Sequence, residues 1–358
     1  MGRTIKFQNL VTGDTHPART EAIWKLYRQT IYVILSHERP FQIDLQSFRI
    51  NVQCPAMMTI PLDHINLHDR RFCISHPLED YLLLGSIRKL GIIHPLILLN
   101  VTPFIVVTGF KRLAAARELG FAAIPAIPVD LDERKALLYV IHDNLTRDLN
   151  LVEKAHAIDK AFHMGFEEDD LHEMMTLLGF QHHKKVLTHL EAIASAEETV
   201  KDFIVTHSLA MKSTRYLFGF NVEERGVIIH ALSRFHVTES MIRETLEMLS
   251  LLKVRTGAIP IEDLNEAADG KDLERRLKDR THPSLSALHR KLQSIRQQAA
   301  LPPHMDIGVD PFFEKEYIDI RIKVKSDKDV AEAVEKLHAL IDADLIRSMF
   351  DLTKGRIR

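Results

Sequence analysis

Apolar residues recur along this chain with two periods, and the change from one to the other divides it. Between Met58 and Leu149 short apolar runs alternate with helical stripes, an α/β pattern; after Leu149 the spacing is helical almost to the end. Within the first part, Pro77-Leu78-Glu79-Asp80 predicts a helix start, with proline early and acids in the first turn. Leu83, Ile87 and Leu90 then share one face, and Gly91 follows as the closing C′ residue. Pro95 to Leu99 and Phe104 to Val107 are β-rich runs on either side of a turn-like Asn100-Val101-Thr102-Pro103. Ile124 to Val129 predicts a further strand, placed at a sheet edge because Pro125 and Pro128 have no ladder donor. Glu133 to Ile141 predicts a helix that delivers Asp143 and Asn144 at its carboxyl end.

The helical part opens on Asn150, which with Glu153 three positions on makes a capping-box pattern. Asp170 to Leu178 is one apolar-striped segment, Gly179 permits a tight turn, and Gln181 to Ile193 predicts a second helix with Val186, Leu187, Leu190 and Ile193 inward. Helix, glycine turn and helix is the helix-turn-helix arrangement, whose second helix enters the major groove. Gln181, His182, His183, Lys184 and Lys185 lead that helix with amide, imidazole and ammonium donors, and His189 joins them as a candidate DNA contact. Thr199 to Val205, Leu209 to Gly219, Val222 to Ser233 and Glu239 to Leu252 read as core-packing helices; Lys212 and Arg215 could touch phosphate, a solvated face being the plainer reading.

At the two ends the pattern is thinner. Ala18 to Leu35 has Ile23, Leu26, Tyr27, Ile31 and Ile34 at helical spacing and predicts a helix that packs on the next domain. Lys271 to Arg280 reads as a linker or exposed helix, and Leu285 to Arg296 as another helix. Tyr317 to Val324 alternates as a half-buried strand, and Val330 to Ile341 follows as an amphipathic helix. One strand and one helix are too few to stand alone, so they dock on the bundle or pair with a second copy.

With 358 residues, the chain is long enough for two to three domains. Its 47 basic and 49 acidic residues nearly cancel, so any nucleic-acid site must be a local patch. Cys54 and Cys73 are far apart and outside metal-ligand spacing, which fits a reducing cytoplasm and argues against a zinc module or a disulfide framework. Charges interrupt every apolar stretch short of a membrane span, and no signal-peptide order opens the chain.

The candidate chemistry gathers in Ser86 to Gly120 and Asp143 to Ala155. Gly109-Phe110-Lys111-Arg112 follows an apolar run and opens a helix, so unpaired backbone N–H groups, the helix dipole and two cations coincide there. That corner is accompanied by Gly91-Ile92-Ile93-His94-Pro95 upstream and by Asn144-Leu145-Thr146-Arg147 downstream. In the order and spacing of these three boxes the chain resembles the ParB/sulfiredoxin superfamily, specifically ParB-type partition proteins, over roughly Ile60 to Leu252.

The resemblance implies an α+β protein: a small mixed-sheet domain, an all-α helix-turn-helix domain and a short carboxyl-terminal strand-helix element. The implied boundaries are a 1–51 extension, a 52–149 nucleotide-binding domain, a 150–256 DNA-binding domain and a 257–358 linker with a dimerisation or docking element. In the family the three boxes hold a cytidine nucleotide with magnesium. Here that role falls to Gly91, His94, Gly109, Lys111, Arg112, Asn144 and Arg147, with CTP or another nucleotide as cofactor. Asp143 and Asn144 are the implied magnesium ligands, and Asp143 is the carboxylate left for catalysis.

Departures qualify this: the box glutamate is Phe110 and its first arginine Lys111, so phosphate binding is better kept than hydrolysis, and triphosphatase activity is weak or absent. The box offers no thiol, which excludes sulfiredoxin chemistry. The implied partners are double-stranded DNA, a second copy as homodimer and a ParA-type ATPase, in a cytoplasmic, nucleoid-associated setting without a membrane. The competing expectation is a nucleotide-dependent enzyme, a small-molecule phosphotransferase or nuclease, on the same amino-terminal domain.

Overall fold

The computed structural model describes residues 57–145 and 147–356, which form an α+β protein. The helix expected over Ala18 to Leu35 and the 1–51 extension lie outside the described residues. Four strands, β1 (Met58–Pro61), β2 (Leu96–Leu99), β3 (Ile105–Thr108) and β4 (Ala123–Val129), make a mixed sheet in the order β1-β4-β2-β3. Only the β2 and β4 pair is parallel. Helices α1 (Tyr81–Leu90) and α2 (Phe110–Glu118) connect β1 to β2 and β3 to β4, and α3 (Glu133–Asn144) follows β4. Leu96, Leu98, Val106, Val107 and Ile124 from the sheet and Leu137 and Ile141 from α3 are fully buried, each stabilising the fold by roughly 1.5–3 kcal/mol.

Two expectations need correction here. The proline-bearing strand β4 is interior, with β1 on one side and β2 on the other. Its partners are staggered: β1 pairs with residues 123–126 and β2 with residues 126–129, so only Ala126 has a registered neighbour on both sides. Successive strand residues address alternate neighbours, and Pro125 and Pro128 are three apart, so both rings can face the side where no partner is registered. The helix predicted from Pro77 starts instead at Tyr81. Asp80 caps it by accepting a hydrogen bond from the Leu83 N–H at 3.0 Å, so the acid satisfies an orphan donor from outside the first turn.

Beyond residue 150 the described chain is helical up to residue 299: α4 (Leu151–His163), α5 (Glu168–Leu177), α6 (Lys184–Ala194), α7 (Glu198–Thr206), α8 (Met211–Leu217), α9 (Val222–Ser233), α10 (Glu239–Thr256), α11 (Ile261–Glu266), α12 (Gly270–Thr281) and α13 (Pro283–Ala299). The capping box that opens α4 is present in both halves, with the Glu153 N–H on Asn150 Oδ1 at 2.9 Å and the Asn150 N–H on Glu153 Oε2 at 3.2 Å. α4 packs on α3, α5, α6 and α7. Buried Ala155, Ala157 and Ala161 let neighbours approach it from several sides.

The second helix of the expected helix-turn-helix pair starts three residues later than the sequence pattern implies. Residues 181–183 precede it, and His183 is the extended N-cap, at φ −148° and ψ 132°. The His182 ring stacks on His172 of α5, centroids 4.5 Å apart, and this holds the loop against the first helix. Lys271 to Arg280 is no linker: it lies in α12, which buries Leu273 and Leu277 and packs on α10.

At the carboxyl end, β5 (Met305–Val309) pairs antiparallel with β6 (Ile318–Ile322), and α14 (Asp327–Asp342) and α15 (Leu345–Thr353) follow. Met305 and Ile307 of β5 share a core with Leu292 and Ile295 of α13, Leu340 of α14 and Met349 of α15. The outer strand overhangs that core. Ile318 packs on the core, whereas Ile320 and Ile322 are 43% and 37% exposed and Val324 is 50% exposed, so the far end of the apolar row expected to be half-buried is open to solvent.

Candidate functional site

The corner at the start of α2 is built on a backbone that only glycine fits. β3 ends at Thr108, and Gly109 turns the chain at φ 102° and ψ 23° into α2. A Cβ on Gly109 would meet Leu96 Cγ at 2.8 Å and the Arg112 guanidinium carbon at 3.2 Å. The Arg112 side chain folds back beneath the turn, its Nη1 donating to the carbonyls of His94 at 2.6 Å and Pro95 at 2.8 Å. One guanidinium thus ties the glycine-led box to the Gly91 to Pro95 stretch, where Gly91 closes α1 at φ 72°.

The third box reaches the same corner from α3. Asp143 lies in the field of Arg112 and Arg147 and accepts a hydrogen bond from the buried Thr108 hydroxyl. Although part of Asp143 is open to solvent, crowding around its carboxyl pushes the pKa above the usual carboxylate value, against the opposing pull of both arginines and Thr108. Asn144 donates from Nδ2 to the Val140 carbonyl at 2.7 Å and accepts at Oδ1 from Arg147 Nε at 2.8 Å. The remaining Arg147 donors form a fork on Glu153, Nη1 to Oε2 at 2.9 Å and Nη2 to Oε1 at 2.8 Å. Glu153 is 1% exposed, so its charge is compensated within the protein.

Gly109, Arg112, the His94 backbone, Asp143, Asn144 and Arg147 therefore share one region. Lys111 reaches elsewhere. Its Nζ is 4.0 Å from Asp80 Oδ2, and it lines a cavity of about 290 Å³ with Glu79, Tyr81 and Glu118. Phe110, in place of the family's glutamate, is buried, with the Arg70 guanidinium 5.9 Å from its ring centroid. Sequence reasoning passed over Thr108 and Arg70, which carry no motif of their own. It read Glu153 only as a cap.

As a cation site the corner is incomplete without a ligand. Asp143 and Asn144 offer hard oxygens suited to magnesium, but among the described residues no group of three or more His, Cys, Asp or Glu converges on a metal position. A divalent ion here would need phosphate oxygens and water to fill its shell, which fits a nucleotide-borne magnesium better than a resident one.

At α6, Lys184 and Lys185 stand exposed on the first turn, next to exposed Gln181 and His183, and the N-cap His183 contributes no side-chain capping bond. His189 turns the other way. Its Nε2 is 2.9 Å from Thr214 Oγ1, whose single hydroxyl proton goes to the Met211 carbonyl at 3.0 Å, so the ring donates and carries its proton on Nε2. Burial, with a smaller push from Arg215, drops the His189 pKa to about 4. Arg215, read from sequence as solvated, thus stands on exposed surface near α6.

Comparison with known proteins bears on the chain's family. Residues 53–145 match the model of the ParB N-terminal domain family. A probable plasmid-partitioning protein ParB of Thermus thermophilus is 31% identical over 231 residues, covering 62% of this chain and 67% of that protein. A probable chromosome-partitioning protein ParB of Vibrio cholerae is 23% identical over 192 residues, covering 51% of this chain and 64% of that protein. The chain thus spans about two thirds of the length of these relatives. The crystal structure of a carboxyl-terminally truncated ParB from Caulobacter crescentus, complexed with CTP-γ-S, covers 48% of this chain and 96% of that one at 19% identity. Its TM-score of 0.22 is too low to carry residue-level detail across.

Proposed function

The chain belongs to the ParB family of partition proteins, and from that premise we propose that it binds double-stranded DNA and a nucleotide of the CTP type with magnesium. The observation that carries the nucleotide half is the convergence of Arg112, Asp143, Asn144 and Arg147 beside the glycine turn at Gly109. Backbone N–H groups at the start of α2 and the Arg112 guanidinium are suited to phosphate oxygens, while Asp143 and Asn144 are suited to a magnesium ion riding on them. Gly91 and His94 bound the same region from the preceding turn. Lys111 adds long-range charge.

Helix α6 carries the DNA half. Its uncapped first turn, Lys184 and Lys185, with Gln181 and His183 beside it, presents donors to a phosphate backbone and to base edges. Arg215 extends that cationic surface. The overhanging row Ile320, Ile322 and Val324 beside an open strand edge fits a second copy of the chain, so the working unit is a homodimer. Ile320→Asp is expected to convert the dimer to monomer in light scattering. A ParA-type ATPase is the partner that a partition role requires. Of the described residues, no helix is long and apolar enough to cross a membrane.

The test is calorimetric titration of CTP and ATP against the full chain, with and without magnesium and duplex DNA. Magnesium-dependent CTP binding, lost in Arg112→Ala, is the expected result; no binding of either nucleotide overturns the nucleotide half. A second reading, phosphotransferase activity on a small molecule, is favoured by the raised carboxyl of Asp143, a usual sign of a catalytic acid or base. Turnover of a small substrate without DNA would select it.

A further inference from the structure

Glu153 does more than cap α4. One carboxylate, 1% exposed, receives the Arg147 fork, the Asn150 N–H at 3.2 Å and the His76 N–H at 3.4 Å. His76 is pinned from the other side as well, because its carbonyl accepts from Asn150 Nδ2 at 2.7 Å. With the backbone held by the start of α4, the His76 ring reaches α7. Its Nε2 lies 3.0 Å from Asp202 Oδ1, without hydrogen-bond alignment, and its Nδ1 lies 3.6 Å from Glu198 Oε2, so the ring packs directly against α7. Glu198 is held in turn by Lys201 at 2.6 Å, and the His156 ring stands edge-on to His76. A cavity of about 620 Å³, lined by Arg70, Cys73, His156, Lys160 and Asp202, borders the ring.

The chain of contacts thus runs from Asn144 through Arg147, Glu153 and His76 to α7, the helix that directly follows α6. Its switchable member is Arg147, shared between Asn144 Oδ1 and the buried carboxylate. With a cation held at Asn144 Oδ1, the guanidinium of Arg147 would be repelled and its hold there weakened. Glu153, which has no solvent to compensate it, would then redistribute its hydrogen bonds among Arg147, Asn150 and His76.

We propose that Glu153 is a positioning residue that links the Asn144 corner to helix α7, holding Arg147 on one side and the His76 backbone on the other. The proposal rests on the nucleotide reading above and adds to it a route by which an occupied corner is felt behind the DNA-facing helix.

The test is amide hydrogen exchange of the full chain with CTP and Mg²⁺ as the probe, alongside calorimetry of the same samples. In the parent protein, exchange in residues 198–206 is expected to change by about threefold or more on binding, the size of a modest coupling energy. Asp202→Ala alters an exposed side chain, so it is expected to bind the nucleotide within about twofold of the parent and to lose the α7 response. A purely structural role for Asp202 would leave that response in place. If the parent binds the nucleotide but α7 stays silent, or if Asp202→Ala keeps the full response, the link is overturned and the nucleotide reading survives. If calorimetry detects no binding to the parent, the nucleotide reading falls and takes the link with it.

Discussion

Two helix starts in this molecule have cations nearby, and they are built in opposite ways. The first turn of α2 follows a glycine at positive φ, with a guanidinium packed 3.2 Å from where a Cβ would sit and locked on two carbonyls. The first turn of α6 follows an extended histidine that caps nothing, and its lysines stand in open solvent. A corner held in one geometry suits a small ligand that must be placed to a fraction of an ångström. A loose cationic turn suits a polymer whose charge repeats along its length. Under the proposed function, the same helix-terminus electrostatics would serve two kinds of ligand, separated by how tightly the surroundings fix it.

The sharpest way to break the comparison is Gly109→Ala. Left-handed strain and the clash with Leu96 together are expected to cost about 4 kcal/mol in denaturant unfolding and to abolish CTP binding. A stable, binding variant would mean that the corner is not rigid. Next comes Arg147→Ala, which leaves the buried Glu153 carboxylate uncompensated; about 3 kcal/mol of lost stability is expected, at the lower end for buried pairs because the arginine side is partly exposed. Glu153→Gln in the same background should recover much of that loss.

The back of α6 gives a pH test. His189 titrates near 6.5 in the unfolded chain and at about 4 in the fold, so its neutral form is the one the fold prefers. The stability it contributes is present above pH 6.5 and is lost as pH falls toward 4, with an upper limit of about 3 kcal/mol that partial solvent access reduces. Thermal melts at pH 7 and pH 5 should differ, and His189→Gln should flatten that difference. The smallest effects belong to Lys184→Ala and Lys185→Ala. Each is expected to lower the salt slope of DNA binding by about 1, with CTP affinity unchanged.

Local signals with a single physical meaning were legible in the sequence. The Asn150 and Glu153 capping box, the α9 bounds at Val222 and Ser233, and the closing role of Gly91 all follow from short-range hydrogen bonding and backbone freedom. Tertiary context hid the rest. β5 was missed although Met305, Ile307 and Val309 alternate with Asp306 and Gly308 as a half-buried strand does, because the stretch is only five residues long and carries a glycine, which weakens the signal. β4 was misplaced because proline content speaks for an unpaired side but not for which half of a strand has it. Within the site, the box pattern brought out Gly109 and Arg112, yet Lys111, one residue along, turns to Asp80 because adjacent helix positions point about 100° apart. The burial of Glu153 depends on neighbours distant in sequence, Arg147 aside. His189, by contrast, is three residues after Val186 and four before Ile193, so the helical period already placed it beside the inward face, and its reading as a DNA contact passed over that signal.

The stagger on β4 has a mechanical side. Because β1 and β2 meet that strand on opposite flanks and overlap only at Ala126, the sheet is in effect two narrow ribbons joined through a single residue. Such a joint can absorb a change of twist between the β1 half and the half that bears the glycine corner, with few ladder bonds broken. The corner can then keep its own shape while the rest of the sheet flexes around it.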